Sequence, residues 1–252
     1  MPHGRVEIFR CSSRLLAENP LHDPAEREVG VYLPPSYDAE PARRFPTVLF
    51  LPGYTGTGLQ LLNRSAWSVP LDRRLDALMT AGRAAEAIVI LPDCFTRYGG
   101  SQYVDSPAIG RYQSYLADEL IPLVDGRYRT LPRKEARAVV GKSSGGYGAL
   151  VMGMMRPEVF GAVGSHAGDS AFDLSYQKEF GRTLITLEKR GGIPGFLAWF
   201  DAQPMKSGAA IEVMSNLCCA AAWSPRASGP YGYGEGFDLP FNPLTGALLP
   251  ET

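Results

Sequence analysis

Histidine is scarce in this 252-residue chain, which has only His3, His22 and His166. The four cysteines, Cys11, Cys94, Cys218 and Cys219, form no C-x-x-C pair and have no histidine at zinc-ligand spacing, which argues against a structural zinc site. The adjacent Cys218 and Cys219 lie in an apolar stretch and read as small buried thiols rather than a redox pair. No apolar run reaches the ~18 residues that a membrane-spanning helix needs. The chain does not open on an uninterrupted apolar stretch of signal-peptide length. Neither sign of charge is in excess, since 25 Lys and Arg against 26 Asp and Glu leave a net charge of −1. Without a basic stripe to match a phosphate backbone, nucleic acid is not an expected partner. These absences describe an ordinary globular protein, expected in the cytoplasm, with no metal or organic cofactor implied.

What is present is apolar material and loop formers. Hydrophobic residues make up 45% of the chain, enough for a sizeable core. The 28 glycines and 21 prolines follow no short period, so they point to many turns and long loops. Val6 to Phe9 and Val29 to Leu33 alternate as strands do. Thr47 to Leu51, Ala87 to Leu91, Ala138 to Val140 and Ala162 to Val163 are short, nearly continuous apolar runs, suited to strands buried on both faces of a parallel sheet. Between them, Leu71 to Met79, Tyr112 to Val124 and Ser143 to Met155 carry apolar residues at helical spacing. Pro122 should kink or end the second of these helices. Strands alternating with helices predict an α/β sandwich with a mostly parallel central sheet and helices on both faces.

That rhythm stops after Asp169. The chain therefore reads as one domain, with a core over residues 1–169 and a loop-rich cap or insertion over 170–252. One helix, Ile211 to Ala222, is expected in the cap, and Gly191 to Gly195 and Gly229 to Gly234 read as irregular loops.

The strongest local signal is Gly141-Lys142-Ser143-Ser144-Gly145, a G-x-S-x-G placed between an expected strand and an expected helix. A nucleophilic serine on such a sharp turn adopts strained backbone angles, so the residues two away on either side must be small. The amides opening the helix then face the reaction centre and favour a developing oxyanion. A phosphate-binding P-loop does not fit, because Lys142 precedes the serine instead of following the glycines. A second oxyanion amide has to come from the loop after an earlier strand. Leu51-Pro52-Gly53-Tyr54-Thr55-Gly56 supplies that loop, which makes the Tyr54 and Ser144 amides the candidates.

The L-x-G-Y-x-G loop at 51–56, Leu91-Pro92-Asp93, Gly99-Gly100-Ser101-Gln102-Tyr103, Glu119-Leu120-Ile121-Pro122 and the elbow running on to Leu150 together resemble the esterase D group of the α/β-hydrolase superfamily. That group includes S-formylglutathione hydrolases, feruloyl esterases and mycolyltransferases. The resemblance spans roughly residues 25–170. It implies that Ser143 is the nucleophile of a serine esterase or thioesterase acting on a small-molecule ester through an acyl-enzyme, with Tyr54 and Ser144 as oxyanion residues.

The same resemblance implies an acid after the seventh strand and a histidine after the eighth. His166, the one histidine after Ser143, comes a single strand later, and is a candidate base or a pocket residue. Asp169 is a candidate acid. Six strands are expected where the family has eight, so the last strands, with the acid and base, are expected beyond Thr252, leaving the chain itself nearly inactive. Trp199, Phe200, Trp223, Tyr231, Tyr233 and Phe237 are candidates for either a substrate pocket or the cap's own core. A non-catalytic hydrolase-like binding protein and an acyltransferase using the same serine are the alternative readings.

Overall fold

The computed structural model describes residues 3–242 together with Thr245, Ala247 and Leu249. Among the described residues there are eight strands: β1 (Arg5–Ser12), β2 (Glu26–Leu33), β3 (Thr47–Leu51), β4 (Ile88–Leu91), the short ribbon β5 (Asp105–Ser106) and β6 (Gly110–Arg111), β7 (Arg137–Lys142) and β8 (Ala162–His166). Six of them form one sheet in the order β1-β2-β4-β3-β7-β8, antiparallel at β1–β2 and β2–β4 and parallel from β4 to β8. The buried apolar runs thus lie in the parallel part, as expected of strands covered on both faces.

Helix α1 (Leu71–Thr80) packs Leu71, Leu75 and Met79 onto one face, against Val48, Phe50, Val89 and Leu91. The main core lies on the other face, where α4 (Ser144–Met155) covers β7, β8 and β3. The helix expected around Pro122 is a continuous helical run: α2 (Tyr112–Ser114), a π-helical segment (Tyr115–Leu120) and α3 (Ile121–Arg127). Pro122 follows the π-helical segment directly, and that wider turn accommodates a ring that would clash inside a regular α-helix.

The cap differs from its composition-based reading. Beyond Asp169 lie α5 (Phe172–Ser175), α6 (Gln177–Lys189), α7 (Gly192–Ala202) and α8 (Gly208–Trp223). The stretch from Gly191 to Gly195 is the start of α7: Gly191 (φ 78°) and Gly192 (φ 83°) make the left-handed turn that reverses the chain after α6. Nor is the cap a detachable lid. Val213, Met214, Leu217 and Cys218 of α8 belong to the same core as the sheet, and Ser106 donates to the Ala221 carbonyl at 2.6 Å. None of the described helices is long and apolar enough to cross a membrane.

β8 is the outermost strand. Among the described residues it pairs with β7 alone, and Val163 is 45% exposed, with Met154 and Met155 of α4 also bare beside it. All four cysteines are free and buried, and burial raises every thiol, Cys218 to about 12. Near pH 8, where an ordinary thiol of pKa about 8.5 reacts readily, alkylation should therefore modify none of them in the folded protein and all four in denaturant. Mass spectrometry reads the difference.

The packing of α4 on β3 is equally demanding. A Cβ on Gly145 would lie 2.0 Å from the Leu51 carbonyl oxygen and 2.4 Å from that of Pro52. Both are backbone atoms that cannot turn aside, so Gly145→Ala should destabilise the fold by about 3 kcal/mol or more, measurable by urea denaturation.

Candidate active site

Strand order decides where a site can form. The chain passes from β3 to β4 on one side and later places β7 on the other side of β3. A crevice therefore opens at the carboxyl ends of β3 and β7, where the winding reverses. The loop after β3 carries Tyr54, and the turn after β7 carries Ser143.

Ser143 has φ 55° and ψ −126°, a backbone conformation that L-residues seldom adopt. It is held there from both sides. Its amide donates to the His166 carbonyl at 3.0 Å, and its carbonyl accepts from the Tyr147 amide at 2.9 Å. Gly141 and Gly145 flank it, as the motif requires. A Cβ on Gly141 would lie 2.1 Å from the Gly145 oxygen, so neither position admits a side chain. Gly148, one turn into α4, is bare for a different reason from Gly141 and Gly145. It admits the ring of Tyr103, whose hydroxyl donates to the Pro52 carbonyl at 2.6 Å.

Ser143 precedes α4, so the first amides of that helix have no intrahelical acceptor. In the facing loop, Thr55 donates to Gly99 and Gly56 to Gly53, each at 2.9 Å, while the Tyr54 amide between them makes no hydrogen bond among the described residues. Tyr54, Ser143 and Ser144 line one cavity of about 560 Å³. The structure therefore brings together the serine and the two residues whose amides the sequence singled out. The Tyr54 hydroxyl donates to the Tyr98 carbonyl at 2.6 Å, and burial holds its phenol well above the ordinary tyrosine range.

Asp169 lines the same cavity but meets no imidazole. Its Oδ2 accepts from the Ser144 hydroxyl at 3.1 Å and from the Tyr176 hydroxyl at 2.8 Å. Burial, reinforced by Cys219 and Asp169, keeps the Tyr176 phenol protonated and able to donate. His166 ends β8 opposite Lys142, exposed, and is not among the residues lining this cavity. Register partners in a parallel pair share a face, so its imidazole lies on the Lys142 side of the sheet. The described residues thus bring a serine and two candidate amide donors to one cavity, without a serine–histidine–carboxylate relay.

The cap adds residues that the sequence reading passed over. Glu179 of α6 and Glu212 of α8 line the cavity, and burial together with the Glu212 charge pushes the Glu179 carboxyl up. The signal was there, because Phe180, Thr183 and Leu187 form the buried stripe of an amphipathic α6. Of the six cap aromatics, Phe200 lines a second cavity. Trp223 stacks on Phe172 at 4.2 Å and meets Tyr147 edge-on at 5.2 Å, bracing the helix behind Ser143. Trp199, Tyr231 and Tyr233 pack half-buried against the main core, and Phe237 is buried in it.

Several known proteins are similar to this chain. The uncharacterized protein YbbA of Bacillus subtilis is 28% identical over 157 residues, 58% of each chain. The structure of a ferulic acid esterase superposes with a TM-score of 0.55 at 24% identity, over 66% of this chain and 59% of the other. The ferulic acid esterase AmCE1/Fae1A of Anaeromyces mucronatus gives 0.53 at 23%, over 68% and 62%. The chain thus spans about three fifths of the length of these relatives, and the structural likenesses establish a shared α/β-hydrolase fold. Residues 24–171, from before β2 to the end of the loop that carries Asp169, match the family described as "Putative esterase", and the chain belongs to that family.

Proposed function

We propose that this chain carries the nucleophile and oxyanion hole of a serine hydrolase acting on carboxylic esters or thioesters. The observation that carries the reading is Ser143 itself, a non-glycine residue forced to φ 55° at a strand-to-helix turn, in one cavity with Tyr54 and Ser144. Membership of an esterase family supports it. Backbone strain of this kind persists only where surrounding structure imposes it, and it lifts the hydroxyl clear of the sheet.

In the proposed reaction Ser143 Oγ bonds to the substrate carbonyl carbon while its proton passes to a base. The carbonyl oxygen becomes an oxyanion held by the Tyr54 and Ser144 amides, with the dipole of α4 adding to their effect. Collapse breaks the bond to the alcohol or thiol, which leaves with the proton. Water then attacks the acyl-enzyme by the same steps. Asp169 is assigned a positioning role, fixing Ser144 at the start of α4 through its hydroxyl. The base and its orienting acid are assigned to a source outside the described residues, and the uncovered outer side of β8 leaves room for them. A chain without its base retains only the weak activity that an oxyanion hole provides.

The missing relay also favours a second reading, a hydrolase-like protein that binds without turning over. A fluorophosphonate probe separates the two. Slow labelling that falls to background in Ser143→Ala is expected for the esterase. No labelling, even when the purified chain is incubated at length with excess probe, would favour the binding protein. Sequencing of the labelled peptide should place the adduct on Ser143.

A further inference from the structure

Tyr54 stands between two cavities. Beside the polar one that contains Ser143 lies another of about 270 Å³, lined by Phe95, Phe200 and Met214 and sharing Tyr54 and Ile211 with the first. Its two cations are already engaged. Arg97 pairs with Asp201 at 3.1 Å and lies over the Tyr233 ring, while Lys206 donates to the Gln203 carbonyl at 2.6 Å and also to that of Phe200. The surface left to a ligand is apolar.

The wall is also held in place before any ligand arrives. Phe95 is 40% exposed, an unusual position for a phenylalanine, yet its backbone is fixed. The buried Arg27 donates to the Phe95 carbonyl at 2.7 Å, and the Phe95 amide donates to Asp93 Oδ1 at 2.9 Å. A rigidly mounted apolar ring facing an apolar cavity is poised for contact with a ligand at little ordering cost.

We infer that this cavity is the acyl subsite of the enzyme and takes an apolar acyl group of medium length. The inference rests on the esterase reading of Ser143. With the substrate oxygen on the Tyr54 amide, the substituent on the carbonyl carbon is directed along Tyr54, the residue that lines both cavities. Past it the acyl chain enters between Phe95, Phe200 and Met214. The volume equals that of about nine water molecules in the liquid, and an apolar chain displaces that water from a surface offering it few partners. The acyl group stays bound to Ser143 until deacylation and so benefits from an apolar site, whereas the leaving group departs through the polar cavity.

The test compares octyl and ethyl fluorophosphonate probes on the purified chain, together with calorimetric binding of octanamide and acetamide to Ser143→Ala. The octyl probe should label about 100-fold faster than the ethyl probe, and octanamide should bind where acetamide does not. Phe95→Asp sets a carboxylate on the wall at an exposed position that the fold tolerates. It should bring the octyl-to-ethyl ratio close to one and abolish octanamide binding. Met214→Trp, which fills the cavity, should do the same if its circular dichroism matches that of the parent. Equal labelling by the two probes, or a preference that survives Phe95→Asp, overturns the subsite. Labelling of Ser143 without octanamide binding overturns the subsite and leaves the esterase reading standing. Octanamide binding that is sensitive to Phe95→Asp, with no labelling by either probe, supports the cavity and counts against the nucleophile alone.

Discussion

The first turn of α4 lies against the carboxyl end of β3 at a distance that only hydrogen atoms can fill. Gly145 faces the Leu51 and Pro52 carbonyls, and Gly141 faces Gly145. That approach leaves the chain between them a single sharp path, and Ser143 is the residue forced to take it. The strain at Ser143 is thus a consequence of helix–sheet packing, stored in a core that the sheet and α4 hold rigid. The direction of the helix amides follows from the same constraint, and so does the closeness of Tyr54, which stands three residues past the end of β3.

Other parts of the molecule support this contact. Tyr103 fills the space over Gly148 and ties itself to Pro52. Trp223, Phe172 and Tyr147 brace the first turn of α4. Asp169 joins its first residue to Tyr176 and so to the cap. The cap is therefore a structural partner of the Ser143 turn as well as the wall of its cavities. α8 makes this possible because small residues, Cys218 to Ala222, let it enter the main core. The outer side of β8 has no such support, and the apolar residues beside it remain exposed among the described residues.

Much of the core was legible because its signals are local. Thr47–Leu51 is a strand in the structure with the bounds its apolar run predicts, and the helix from Leu71 is one residue longer than its periodicity. The elbow could be read because a sharp turn demands small neighbours, a requirement written within five residues. The cap was misread for a physical reason. Gly191, Gly192, Pro194 and Gly195 look like a loop by composition, yet they open a helix: two glycines supply the left-handed turn, and proline is tolerated in a first turn where its amide would have no partner.

Sequence alone determined the strand–turn–helix around Ser143, the α/β class and the burial of the cysteines, since each depends on residues close together in the chain or on hydrophobicity alone. Tertiary structure decided what surrounds the serine. Tyr54, Asp169, Glu179 and Glu212 come from four separate segments, and only strand order and cap packing bring them to one cavity. His166 makes the same point in reverse. It is close to Ser143 in sequence and bonded to it through the backbone, yet strand register turns its side chain away from the cavity, because neighbours in a parallel sheet share a face whatever chemistry they carry.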